Sequence, residues 1–144
     1  MTLYISIEPN EADKAFVRDG MIAYNRRHFP ERLRGNYREV AVFVKDAEGR
    51  TCGGLVGEIC WNWLEVQYLF IEEPYRKSGY GAKLVREAER IARAGGCDFM
   101  KLDTLSFQAP EFYTKIGFEV YGTIPNAGGY THYYMKKDLH PEEL

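Results

Sequence analysis

The chain has 144 residues, 45% hydrophobic and 15% aromatic, which suits one domain around one core. Its formal charge of -2 argues against a general nucleic-acid binder, which would carry a basic face, and no apolar run approaches the roughly 20 residues of a membrane helix. The opening MTLYISIEPNEADK lacks a basic end and an apolar block, so no signal peptide is expected. Cys52, Cys60 and Cys97 are odd in number and form no C-x-x-C, which fits reduced thiols in a cytoplasmic protein. His28, His132 and His140 have no ligand spacing, so no metal is expected.

Residues 3–7 (LYISI) alternate and predict a strand. Pro9-Asn10-Glu11-Ala12-Asp13 predicts a helix start, with Asn10 as cap and two acids near the positive end of the dipole. Ala12, Ala15, Phe16, Ile22 and Ala23 give that helix an apolar stripe, and Gly20 is a candidate break. Residues 25–38 hold Arg26, Arg27, Arg32, Arg34 and Arg38 among Pro30 and Gly35, and predict a loop or a short irregular helix. Residues 39–45 and 52–60 predict a hairpin around Asp46–Arg50. Gly53, Gly54 and Gly57 in its second strand point to a bulge or a close backbone contact. Trp61-Asn62-Trp63 turns into a central strand, 64–71, which completes a meander.

Residues 79–94 carry the clearest helical period: Leu84, Val85, Ala88, Ile91 and Ala92 share one face, with Arg86, Glu87, Arg90 and Arg93 opposite. Gly95-Gly96 ends it. A strand over 98–104 then implies a right-handed crossover to a parallel neighbour. A short helix over 110–116, a hairpin from 118–123 and 130–137 around Pro125, Gly128 and Gly129, and a loose acidic tail over 139–144 complete the chain. No repeat or linker interrupts it, so 1–144 is read as a single domain of mixed α/β class.

The turn Arg76-Lys77-Ser78-Gly79-Tyr80-Gly81 sets two glycines at a helix start beside basic residues. The first helical amides have no internal partner, and glycine lets a ligand approach them closely, so this is a seat for an anion such as a pyrophosphate. The P-loop pattern G-x-x-x-x-G-K-[ST] is absent, and the third glycine of a dinucleotide fingerprint is missing. Two stretches in order, LFIEEPYRKSGYGAKLV and APEFYTKIGFEVYG, resemble the coenzyme A-binding strand, loop and helix and the C-terminal signature of the GNAT superfamily, the acyl-CoA-dependent N-acyltransferases. The resemblance covers nearly the whole chain.

It implies a mixed central sheet of about six to seven strands flanked by helices, with splayed central strands that form a slot. Pantetheine would pair with the backbone of Leu69, Phe70 and Ile71. The pyrophosphate would rest on amides of Arg76, Lys77, Ser78, Gly79, Tyr80, Gly81 and Ala82. Ser106 stands where the family often has Asn, and a hydroxyl there can still bond to a pantetheine amide.

The implied reaction transfers acetyl from acetyl-CoA to a primary amine by direct attack in a ternary complex. Tyr113, on the signature tyrosine, would protonate the leaving thiolate. Glu65, eleven residues before Arg76, would be the base if buried beside apolar neighbours; Glu58 and Asp103 are reserves. Tyr24, Trp63 and His132 are candidate acceptor contacts, with Trp61 and Tyr133 beside them. The acceptor would be a small-molecule or peptide amine, and the arginine-rich segment disfavours polycations. No nucleic-acid or membrane partner is expected; a homodimer is common in that family, although no apolar stripe calls for one. The rival reading is a catalytically silent coenzyme A-binding sensor or interaction module.

Overall fold

The computed structural model describes residues 1–139. They divide into two compact units, Met1–Gly35 and the remainder from Asn36. The first unit contains α1, Glu11–His28, and a 3₁₀ turn, Glu31–Leu33. Asn10 caps α1 as its position predicts, its side-chain oxygen accepting from the Asp13 amide at 3.1 Å. Gly20 does not break the helix. The capped start and the cations Arg26, Arg27 and His28 in the last turn complement the dipole and carry α1 four residues into the segment expected to be irregular. Residues 3–7 are not a strand: alternation alone makes none, and no strand among the described residues pairs with them.

The second unit is a six-stranded sheet in the order β1-β2-β3-β4-β6-β5. The strands are β1 Tyr37–Lys45, β2 Thr51–Cys60, β3 Trp63–Ile71, β4 Phe99–Leu105, β5 Glu119–Ala127 and β6 Tyr130–Asp138. The first three form the expected antiparallel meander, and β4 lies parallel to β3. The crossover is α2, Tyr80–Ala94, and α3, Pro110–Lys115, follows β4. The last hairpin is longer than its sequence suggested, because Gly128 and Gly129 both take positive φ and close a tight turn. Pro125 is therefore inside β5, which tolerates it as the edge strand and is bulged there. Leu139 is not part of a loose tail: it is buried, and its amide bonds to the Asp98 carbonyl at 2.7 Å. Residues 140–144, the rest of that expected tail, lie outside the described residues.

One face of the sheet holds the core. Leu84, Val85, Ala88 and Ala92 of α2 pack against Leu55, Ile59, Leu64, Met100 and Met135, all essentially sealed from solvent. Successive strand side chains point to opposite faces. Glu65 therefore lies on the outer face between Leu64 and Val66, and Asp103 between Leu102 and Thr104, all four of these neighbours being buried.

Two features of β3 open the sheet. Val56 pairs with Tyr68 and the next residue, Gly57, with Val66, so Gln67 is an unpaired bulge. The glycines of β2 answer to this close backbone packing: a Cβ on Gly57 would run into the Glu65 carbonyl, and one on Gly53 would lie 2.9 Å from the Phe70 carbonyl oxygen. Between β3 and β4, only Trp63–Phe99, Leu64–Met100 and Glu65–Lys101 are paired. Beyond them the strands part and leave a V-shaped slot.

Candidate active site

The open end of the slot leads to the start of α2. Gly79 is its N-terminal cap, at φ 85°, a conformation that costs a residue with a Cβ about 1–2 kcal/mol. No side chain caps this end and no acid occupies its first turn, in contrast to the Asn10-capped, acidic start of α1. The first intrahelical bond of α2 runs from Lys83 N–H to Gly79 C=O, so the amides of Tyr80, Gly81 and Ala82 face outward unpaired by the helix. Gly81 is closely packed: a Cβ there would lie 3.1 Å from the Phe112 ring. Lys77 takes φ 64°, which turns the chain into this seat. Arg76 is committed on one side, with Nε donating to the Ile71 carbonyl at 2.7 Å and its guanidinium over the Phe70 ring. A cleft of about 430 Å³ adjoins the seat between α2 and α3, lined by Ala82, Val85, Arg86, Glu89, Lys115 and Lys137.

Leu69, Phe70 and Ile71 lie on the part of β3 that has left β4. Ser106 opens the 3₁₀ turn Ser106–Gln108, and its Oγ accepts from the Thr131 amide at 3.1 Å, leaving its own proton to donate. Tyr113 on α3 is buried against the Phe112 and Phe118 rings. Its hydroxyl meets no hydrogen-bond partner among the described residues, and none of their sealed side-chain polar atoms is unpaired, so the hydroxyl reaches accessible space. Burial raises its pKa above the usual phenol value.

Glu65 does not stand among apolar neighbours. It is 40% exposed at the closed end of the slot, where Lys101 Nζ lies 3.4 Å from its carboxylate. Trp63 is at the same end, stacked on Phe99 with Lys101 over its ring. Glu58 is Glu65's cross-strand partner on β2 and accepts from the Tyr37 hydroxyl at 2.7 Å. His132 and Tyr134 share the outer face of β6, and His132 Nε2 lies 3.5 Å from Asp103 of β4. Tyr134 carried no signal of its own in the sequence; its two-residue spacing from His132 on a predicted strand was the available clue. Tyr24 lies on α1 in the first unit, its ring stacked on His28. On the outer face of β1–β3, Phe43, Val56, Tyr68, Phe70 and Glu72 line a groove of about 310 Å³.

Two thiols, Cys60 and Cys97, are poor nucleophiles in this setting. Burial, then the Glu58 carboxylate that accepts its S–H at 3.4 Å, pushes Cys60 up to about 11. Burial also raises Cys97. Alkylation of Cys60 by iodoacetamide, followed by peptide mass spectrometry, should therefore be slow at pH 8 and climb roughly tenfold per pH unit toward pH 10. A rate that levels off by pH 8.5 would mean a normal thiol.

Comparison with known proteins settles the family. The model of the Acetyltransferase (GNAT) family matches residues 9–118. The chain belongs to the GNAT acetyltransferases. An acetyltransferase of Agrobacterium fabrum is 34% identical over 128 residues, covering 88% of this chain and 90% of that one. The blasticidin-S acetyltransferase of Streptomyces morookaense is 36% identical over 101 residues, 69% of this chain and 74% of its own. Among solved structures, an acetyltransferase from Bacillus cereus superposes with a TM-score of 0.88 at 31% identity, covering 94% of this chain and 98% of its own. The parted strands β3 and β4 and the glycine-led start of α2 thus belong to a GNAT sheet. Among the described residues of this GNAT protein, no group of three or more His, Cys, Asp or Glu could hold a metal ion, and no helix is long and apolar enough to cross a membrane.

Proposed function

We propose that this acetyltransferase moves acetyl from acetyl-CoA to a primary amine of a small molecule, by direct attack with both substrates bound. One observation carries the reading: the slot between β3 and β4 opens onto an uncapped helix start free of acids. A donor with a diphosphate at one end and an amide-rich arm at the other fits that layout. The arm would lie along Leu69–Ile71 and Ser106, and the diphosphate on the amides from Arg76 to Ala82. The blasticidin-S relative supports an antibiotic-like amine as acceptor.

The residues divide the chemistry. A β3 amide near Leu69 faces the carbonyl oxygen as it becomes negative. Direct attack agrees with Cys60 and Cys97 being held protonated. Tyr113 acts at the leaving sulfur, though not by giving up its whole proton. A thiol near 8.5 is a stronger acid than a phenol near 10, so that transfer runs uphill by about 2 kcal/mol. Burial of Tyr113 makes it steeper. A hydrogen bond from the hydroxyl to the developing thiolate carries no such cost.

Release of thiol from acetyl-CoA, followed with Ellman's reagent across blasticidin S, spermidine, kanamycin and a lysine peptide, tests the reading. Amine-dependent release is expected. Tight acetyl-CoA binding with no release from any amine would favour a silent binding module. Tyr113→Phe should lower kcat about 10–100-fold and leave acetyl-CoA affinity within twofold, measured by calorimetry; wild-type kcat would remove Tyr113 from the reaction.

A further inference from the structure

Glu65, the expected base, is held by Lys101 at the closed end of the slot. A different chain of proton-carrying groups lies farther along. On the outer face, Asp103, His132 and Tyr134 touch in sequence. Asp103 Oδ2 is 3.5 Å from His132 Nε2, and the Tyr134 hydroxyl is 3.3 Å from His132 Nδ1. Register holds the three together, because Asp103 pairs with Tyr134 and Leu105 with His132. The Asp103 carboxylate beside Nε2 favours the tautomer with its proton on that nitrogen, which leaves Nδ1 able to receive one.

The height along the slot is also right. Leu105 lies six residues beyond Phe99, and Leu69 six beyond Trp63, the opposite member of the same pair. The Gln67 bulge shortens the β3 path by one residue. Leu69 and Leu105 therefore face each other across the open slot at about the same level, and His132 is beside Leu105. Glu65 lies four residues short of Leu69, roughly 10–13 Å along the strand.

Resting on the amine-acetylation reading, we propose that Tyr134 is a catalytic residue that takes the amine proton, His132 its terminal acceptor, and Asp103 a positioning residue. The amine lone pair forms the C–N bond while the carbonyl π pair moves to oxygen. When that pair returns, the C–S bond breaks and its electrons leave on sulfur. The amine proton passes to the Tyr134 oxygen as the Tyr134 proton passes to His132 Nδ1. Asp103 holds the imidazolium until water takes its proton, and the thiolate recovers one from water. The charged and titratable groups beside this array are Lys101 on β4, paired with Glu65 on β3, Lys136 on β6, paired with Glu119 on β5, and Tyr121 on β5, whose ring lies 6.3 Å from that of Tyr134.

The test uses whichever panel amine releases thiol fastest from the wild-type enzyme, with kcat measured against pH at saturating amine. His132→Gln and Tyr134→Phe should each lower kcat about 100-fold at neutral pH and remove the fall of kcat toward acid. Acetyl-CoA affinity should stay within twofold in both. Asp103→Asn should lower kcat about tenfold and displace that fall along the pH axis, a change that lost packing alone would not cause. Both relay variants within twofold of wild type, with the acidic fall unchanged, would overturn the proposal and leave the acetylation reading standing. No release from any panel amine by the wild-type enzyme would overturn both.

Discussion

Gly79→Asp is expected to weaken acetyl-CoA binding at least about 100-fold. Aspartate is a preferred cap residue, so its carboxylate would fold onto the free amides of Gly81 and Ala82 and occupy the seat itself. It would also set a negative charge where a diphosphate must rest, at a helix start with no cap and no acid. The cost to the fold should be small, because space beside Gly79 is open and Asp tolerates its φ of 85° better than most residues. Gly79→Asn repeats the shape without the charge and should lose far less affinity. Titration calorimetry with acetyl-CoA separates the two variants. Equal, undiminished affinity in both would place the diphosphate elsewhere.

Gly57→Ala should produce the largest loss of stability. The new methyl group would meet the Glu65 carbonyl and the Val66 Cα inside a paired ladder, and backbone cannot swing aside as a side chain does. Overpacking of this kind costs about 2–3 kcal/mol, which lowers Tm by roughly 10 °C in a chain of this size. The damage should reach the ligand too, since the bulge at Gln67 sets the course of β3 toward Leu69. Differential scanning calorimetry reads the first effect and acetyl-CoA titration the second. A variant with unchanged Tm would mean that the bulge absorbs the methyl group by moving.

The parts legible in the sequence were those decided locally. Asn10 beside two acids caps a helix in isolation as it does here. The apolar period of residues 84–92 gives α2 its buried face wherever that helix docks. Gly79 and Gly81 marked the seat, although for different reasons: positive φ at one, and contact with Phe112 at the other. What sequence could not supply was register between distant strands. Glu65 was expected to act as a base if buried beside apolar neighbours; Lys101, thirty-six residues later, meets it only through the parallel pairing of β3 and β4. Asp103 and Tyr134 become neighbours of His132 by the same route. Residues 3–7 erred the other way, since their alternation promises a strand but cannot provide its partner.

The three residue pairs that join β3 to β4 have a mechanical consequence. Antiparallel β2 and β3 share eight paired positions, whereas the seam in the middle of the sheet has only three, so the sheet behaves as two leaves stitched at one end. A long flexible molecule lying along the open seam would supply the missing rungs. Occupancy should then slow amide exchange on both leaves at once, including strands far from any atom of the guest. Such a guest would complete a sheet that the fold itself leaves open.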